Sequence, residues 1–388
     1  MIKEDWTANW IWTQSGETEP DTWVSFRKSF EVSDINEARD AVAYIAAESK
    51  YWLYINGEMA VREGGLKRGP TPEDGYYDTV EIGQYLREGE NTIAALVWFW
   101  RDGASYSSTN SGKGGFLFEA ELGGEKLISD ASWLAARNTA FLQDPGARQP
   151  NYRLPEANIY YDARRELTGW EQPGYDDSGW EAAKEMGTGG CAPWNALYER
   201  PIPLWKDFGL KDYKNSSEYE NDTLTRGQEL TMEVPYNAQL TPYLEVESEA
   251  GKEIVITTEN TAQGSVFATY ITKEGRQSFE SPGWMNGERI TYRIPKGVKI
   301  ISLKYRESGY NTEFSGSFTC SDAFLNTLWM KSLRTLYITM RDNFMDCPDR
   351  ERAQWWGDVT NEMAMSMYAL DTNSYLLYQK GVATMLAY

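Results

Sequence analysis

The chain has 388 residues, 25% of them charged and 41% hydrophobic, with a net charge of −20 and a pI near 4.6. This is ordinary for a folded protein of two or three domains, and its sign argues against nucleic acid and anionic membranes, which both need a basic face. There is no histidine, so His-based triads, His-dependent metal sites and imidazole acid–base catalysis are excluded, and proton transfer falls to carboxylates, Tyr, Lys or Cys.

The chain opens on an aromatic stretch from Trp6 to Trp12. The alternation of Trp23/Ser25 with Val24/Phe26 predicts a strand, and Ala41 to Ala47 and Tyr51 to Ile55 predict two more. Asn56-Gly57, between Tyr51–Ile55 and Glu58–Val61, is the strongest hairpin signal in the chain. Asp78 to Leu86 leads to a predicted turn at Gly89-Glu90-Asn91. Thr92 to Trp100 then predicts a buried strand, and Phe116 to Leu122 another. Short strands at this spacing indicate a β-sandwich. The stretch from Asp130 to Trp180 is rich in loops and tryptophan, and Gly187 to Gly190 with Pro193, Pro201 and Pro203 marks a boundary. Strands resume at Leu240 to Val246, Glu253 to Thr258, Ile290 to Ile294 and Val298 to Lys304, as a second sandwich. Trp284 falls in a loop, placed either to reach a site or to cover the sheet.

At Ser321 the period changes. Ser321 or Asp322 caps a helix, with Phe324, Leu325, Leu328, Trp329, Ser332, Leu336 and Met340 at helical spacing. Pro348 blocks helix continuation. Thr360 to Leu370, with Met363 and Met367 on its core side, predicts a second helix, and Tyr375 to Leu386 a third. The expected segments are 1–190, 205–318 and 321–388. No long apolar run or leader is visible at Met1, so a cytoplasmic location is expected, with a periplasmic or secreted one if a leader has been removed. Cys191, Cys320 and Cys347 form neither a disulfide framework nor a metal knuckle. The aromatic content of 14% suits both carbohydrate proteins and all-β domains.

The stretch from Met345 to Asp358 concentrates chemistry. Asp346, Asp349, Arg350, Glu351, Arg352 and Asp358 share it with adjacent Trp355 and Trp356. Carboxylates bind sugar hydroxyls and move protons, indole covers the C–H face of a pyranose, and arginine orients carboxylates with paired hydrogen bonds. A charged connection between helices is the plain alternative, but indole is rarely placed in a merely solvated loop. Cys347 lacks a basic partner and is assigned to packing.

The run Asp346-Cys347-Pro348-x-Arg350-Glu351-Arg352-x-x-Trp355-x-Gly357-Asp358 resembles the signature of bacterial α-L-rhamnosidases of glycoside hydrolase family 78. There it begins a catalytic (α/α)6 barrel. The resemblance implies that Glu351 is the proton donor, that Asp346, Asp358 and Trp355 contact the sugar, and that hydrolysis is inverting; Arg350, beside Glu351, is a further candidate for substrate binding. Asp349, Ala353-Gln354 and Trp356 depart from the family's usual Gln, Leu-Gly and Thr, which bears on which sugar is bound. Tyr54-Ile55-Asn56-Gly57, Tyr77-Asp78-Thr79-Val80 and Leu86-x-x-Gly89-Glu90-Asn91 resemble the same family's N-terminal domain. The implied fold is two β-sandwiches, jelly-roll and supersandwich-like, followed by the first helices of the barrel.

A six-hairpin barrel needs on the order of 300 residues, so the general base is expected beyond Tyr388 and the chain is expected to be the front part of the enzyme. The expected partner is a carbohydrate, a rhamnoside or related glycoside, with no cofactor or metal; a homodimer is left open. The competing functions are a non-catalytic carbohydrate-binding protein, which needs no proton donor, and another (α/α)6 enzyme such as a lyase or phosphorylase. Arginine pairing decides whether Glu351 stays neutral: pairing with the flanking acids frees it, and pairing with Glu351 itself opposes protonation.

Overall fold

The computed structural model describes residues 1–100, 107–143, 154–219, 223–259 and 266–388. They form two compact units. The first comprises residues 1–139, 167–201 and 383–388, and the second residues 140–166 and 202–382. The expected segments divide the chain by element type; the compact units differ from them in that residues 140–166 belong to the second unit.

Two sheets make the first unit. One runs in the order Lys184–Thr188, Asn9–Trp12, Gly115–Leu122, Val42–Glu48, Gly75–Glu81, Leu197–Glu199, with Glu125–Ile128 added to Gly115–Leu122. The other runs Glu181–Ala182, Leu134–Arg137, Thr22–Val32, Gly89–Phe99, Lys50–Ile55, Glu58–Gly64. The predicted hairpin forms: Asn56 and Gly57 have φ of 53° and 82°, the left-handed pair a two-residue turn needs to match strand twist. Asn56 also receives the Thr92 amide at 3.0 Å. A side chain at Gly57 would collide with Gln172, 2.1 Å from the position of its Cβ. Gly89-Glu90-Asn91, predicted as a turn, instead opens the strand Gly89–Phe99. Gly89 supplies the positive φ of 89° at its start, and Asn91 closes the loop by donating to the carbonyls of Arg87 and Gly89.

Ten of the sixteen tryptophans are buried, which assigns most of the aromatic content to the cores. Trp23 stacks on Trp98 with ring centroids 4.4 Å apart, and Trp10 on Trp194 at 4.6 Å. Such pairs add roughly 0.5–1.5 kcal/mol each beyond burial.

The second unit is built on a ten-stranded curled sheet around one 21-residue strand, Gln228–Ser248. Its first part pairs with Met285–Ile294, and its last part pairs with Gly275–Glu280. The register shifts between Glu233 and Ala238, where Pro235 cannot donate to a ladder. Strand pairs are antiparallel except Ile159–Asp162 with Ala268–Ile271 and, in the first unit, Leu197–Glu199 with Gly75–Glu81. No βαβ crossover occurs among the described residues.

Before residue 200 the described α-helix is the single turn α1 (Ile35–Ala38). The helices proper are α2 (Ala323–Ile338), α3 (Trp356–Ala369) and α4 (Asn373–Ala387). Asp322 caps α2 by accepting the Phe324 amide at 2.8 Å. The buried face of α2 differs from the expected stripe: Leu333, Leu336, Tyr337 and Ile338 are buried, whereas Phe324, Leu325 and Leu328 are exposed. On α3, Met363 is buried and Met365 and Met367 are exposed. The period of a helix defines a stripe, and only the elements packed on it decide which part is covered. No described helix is long and apolar enough to cross a membrane.

Candidate active site

The chain leaves α2 at Thr339, turns through a bridge between Met340 and Phe344, and enters the 346–358 run. Two bonds close this run on itself. The Asp346 amide donates to the Ala353 carbonyl at 3.0 Å, and the Ala353 amide donates to Asp346 Oδ1 at 3.1 Å. One Asp346 oxygen is thereby committed to the loop's own backbone. Burial and the neighbouring Glu351 push the Asp346 carboxyl above its usual range, against the loop amides.

Glu351 is 6% exposed and both of its oxygens accept hydrogen bonds. Arg350 Nη2 lies 2.8 Å from Oε1, and the Trp355 indole N–H donates to Oε2. Arg350 is 3.9 Å from Asp346 Oδ2, so of the two pairings left open by the sequence, Arg350 takes the one with Glu351 itself. The cause is local: Arg350 and Glu351 are adjacent, and Asp346 is already occupied by the loop. For Glu351 to donate a proton, one of its two donors must move away, and the 3.9 Å gap to Asp346 gives Arg350 a second acceptor. Cys347 Sγ accepts the Glu351 amide at 3.3 Å, and burial pushes its thiol up. It is a packed, protonated thiol and no nucleophile.

Arg352 turns the other way. It is 1% exposed, in a left-handed backbone conformation with φ 52°. Its guanidinium bonds the Pro348 carbonyl at 2.8 Å, the Trp284 carbonyl at 3.1 Å and Glu156 at 3.1 Å. Its Cζ lies 3.4 Å from the centre of the Trp284 ring. Trp284 therefore does reach the site loop, as a platform under the arginine. Arg341 adds a second buried cation 5.0 Å from that ring, bonded to Gln239 Oε1 at 2.9 Å.

Trp355 is the N-cap of α3. It is 44% exposed and Trp356 37% exposed, so both indoles lie outside the core. Asp358 is exposed in the first turn of α3, where the helix dipole favours a carboxylate. Asp349 is half-buried. Gln354 donates to the Gly381 carbonyl at 2.9 Å, tying the run to α4. The run thus brings Asp346, Arg350, Glu351 and Trp355 into direct or near contact, with Asp358 one helical turn beyond. A fourth acid escaped the sequence reading: Glu362, on α3, whose carboxyl burial and the charges of Asp358 and Asp346 push up to about 8. Its spacing of four residues from Asp358, on a helix otherwise rich in Met and Ala, was the available signal. Among the described residues no group of three or more His, Cys, Asp or Glu is placed to hold a metal ion.

Two β-rich units, the second leading into helices through a loop of acids, arginine and indole, define a mainly β protein with a helical segment that begins at this loop. Residues 36–196 match the α-L-rhamnosidase N-terminal domain, and residues 313–385 match the bacterial α-L-rhamnosidase six-hairpin glycosidase domain. Together the two matches take in more than half of the chain, and the chain belongs to the bacterial α-L-rhamnosidase family. An α-L-rhamnosidase of Formosa agariphila is 26% identical over 381 residues, which cover 90% of this chain and 38% of that protein. The family 78 rhamnosidase of Bacillus sp. GL1 superposes with a TM-score of 0.81 at 20% identity, over 96% of this chain and 62% of that one. The α-L-rhamnosidase of Dictyoglomus thermophilum gives 0.76 at 21% identity, over 98% and 44%. Both share the fold, and this chain spans less than two thirds of the length of each of the three relatives, between 38% and 62%.

Proposed function

We propose that this chain supplies the acid side of a glycosidase that removes terminal α-L-rhamnosyl or closely related residues with inversion. The observation that carries the reading is Glu351, buried between Arg350 and the Trp355 indole in a run flanked by Asp346 and Asp358, in a chain of this family. Glu351 protonates the leaving oxygen once Arg350 has shifted toward Asp346. Asp346 and Asp358 accept hydroxyl hydrogen bonds from the sugar, and Trp355 covers its C–H face. In an inverting enzyme a second carboxylate, roughly 6.5–9.5 Å from the acid, activates water on the opposite face. The three helices α2 to α4 form one side of such a pocket. Ala353-Gln354 and Trp356 bear on the sugar: Gln354 is drawn to α4 and Trp356 exposes its ring at the head of α3.

The test is turnover by the whole protein of aryl glycosides of α-L-rhamnose and related 6-deoxy and neutral sugars, with proton NMR of the first-formed anomer. Cleavage of the rhamnoside with release of the β-anomer is expected. Retention of configuration, or cleavage confined to an unrelated sugar, overturns the reading. Expressed by itself, the 388-residue stretch is expected to show no turnover above background, because it spans only 38% and 62% of the lengths of two of the rhamnosidases it matches. Rhamnosidase activity at the level of the whole protein would contradict this.

Trp355 has two functions that separate by substitution. Trp355→Phe keeps an aromatic face and removes the N–H held on Glu351, so kcat is expected to fall with little change in KM. Trp355→Ala also removes the sugar's platform and is expected to raise KM about tenfold, a stacking loss of roughly 1–1.5 kcal/mol. Equal KM values for the two variants would rule out stacking.

A further inference from the structure

Gln239 lies on the long strand Gln228–Ser248, just past the register shift between Glu233 and Ala238. A shift of this kind re-aims the side chains that follow it. Gln239 is 1% exposed, and its amide is engaged on both sides. Nε2 donates to the carbonyl of Ile338 at 2.8 Å and to that of Met340 at 3.0 Å, and Oε1 accepts from Arg341 Nη1 at 2.9 Å. Carbonyls only accept and a guanidinium only donates, so the partners fix the orientation of the amide. Ile338 ends α2, and the last carbonyls of a helix have no partner within it. Gln239 supplies that partner from the sheet.

Two routes lead from this amide to Glu351. Along the main chain, Ile338 and Met340 flank Thr339, whose carbonyl accepts the Met345 amide at 2.8 Å. Met345 precedes Asp346, the residue that closes the site run onto Ala353. Through side chains, Arg341 Cζ lies 5.0 Å from the centre of the Trp284 ring, and Arg352 Cζ lies 3.4 Å from the same centre. Arg352 directly follows Glu351 and holds the Pro348 carbonyl at 2.8 Å. Trp284 stands immediately before the strand Met285–Ile294, whose Asn286 is the cross-strand partner of Gln239. One position on the sheet thus sets both ends of the loop that carries the acid.

From this geometry we infer that Gln239 is a positioning residue for Glu351. It touches no reacting atom; it fixes where the loop presents the carboxyl to the leaving oxygen. The inference rests on the reading of Glu351 as the acid. The chemistry required at this position is specific, two donors and one acceptor on a neutral group. A carboxylate in its place would face two carbonyls with no proton to give, and a thioether would leave all three partners unmatched.

The experiment compares the whole wild-type protein with Gln239→Met, Gln239→Glu, Glu351→Gln and Leu244→Ala. It reads the melting temperature, and kcat and KM on a rhamnosyl disaccharide and on an activated aryl rhamnoside. Leu244 is fully buried on the same strand and is the control for loss of stability alone. A misplaced acid costs most where the leaving group needs a proton. Gln239→Met is therefore expected to lower kcat on the disaccharide about 10–100-fold, the effect of a displacement on the order of 1 Å. On the aryl rhamnoside the loss is expected to stay below about threefold, with KM unchanged on both. Leu244→Ala is expected to lower the melting temperature and to leave the ratio of the two kcat values at the wild-type value. If Gln239→Met does not fold, Gln239→Glu decides by the same ratio, since it keeps the size of the side chain and the acceptor for Arg341. A wild-type ratio in the folded Gln239 variant overturns the inference and leaves Gln239 a purely structural residue, as do equal losses on both substrates. A wild-type ratio in Glu351→Gln instead defeats the acid reading, and this inference with it.

Discussion

Glu351→Gln in the whole protein is expected to reduce turnover of a rhamnoside with a poor leaving group, such as a disaccharide, by roughly 10²–10⁴-fold, the range of general acid catalysis. An activated aryl glycoside, whose phenolate leaves without a proton, should lose far less, and the gap between the two substrates measures the acid function. Asp346→Asn and Asp358→Asn are expected to weaken both substrates alike, since their function is to hold hydroxyls. The structure adds a control. Glu351 accepts from Arg350 on one oxygen and from Trp355 on the other, and an amide offers only one acceptor, so one donor is left facing the NH2 group. That mismatch costs about 1–3 kcal/mol and should lower thermal stability whichever substrate is used. Equal kinetic losses on both substrates would demote Glu351 to a binding group and move the acid function to Asp358.

The parts of the fold that sequence made legible are those decided locally. Asn56-Gly57 forms its hairpin because the turn's chemistry is contained in two residues. Asp322 caps α2 because a carboxylate immediately before the helix can reach the Phe324 amide two residues on. Gly89-Glu90-Asn91 shows the limit: the same residues that make turns also make the left-handed start of a strand, and only pairing with Thr22–Val32 distinguishes them. The stripe from Phe324 to Met340 had the right period, yet only its second half is covered, since coverage depends on residues remote in sequence. The site follows the same division. Glu351 and its neighbours stood out as a motif, but the choice of Arg350 over Arg352 as the partner of Glu351 did not. It depends on Glu156 and Trp284, 196 and 68 residues away from Arg352, which hold that arginine elsewhere.

The second large effect is expected at Arg352. Arg352→Ala removes, in one step, the cation beside the buried carboxylate of Glu156, the donor to the Trp284 carbonyl, the donor to the Pro348 carbonyl and the charge over the Trp284 ring. Glu156 is 5% exposed, so water cannot readily replace the guanidinium. Breaking a buried pair from one side typically costs about 3–5 kcal/mol, which for a unit of this size lowers its melting temperature on the order of 10 °C. The loss should be confined to the second unit, with the first unit's transition unmoved. Arg352→Lys is expected to recover little, since one ammonium cannot span three acceptors set around a planar fork. Arg352→Met with Glu156→Gln is expected to recover most of the loss, because both buried charges are then gone and the stem still packs on Trp284. Activity separates the two contributions. If Arg352 only anchors the loop, the double variant regains stability and also the placement of Glu351, hence kcat. If the charge itself acts on the site, stability returns and kcat does not. Differential scanning calorimetry with kinetics on the same samples decides between them, and a melting temperature for Arg352→Ala within about 1 °C of wild type, far inside the expected shift, would remove Arg352 as the anchor.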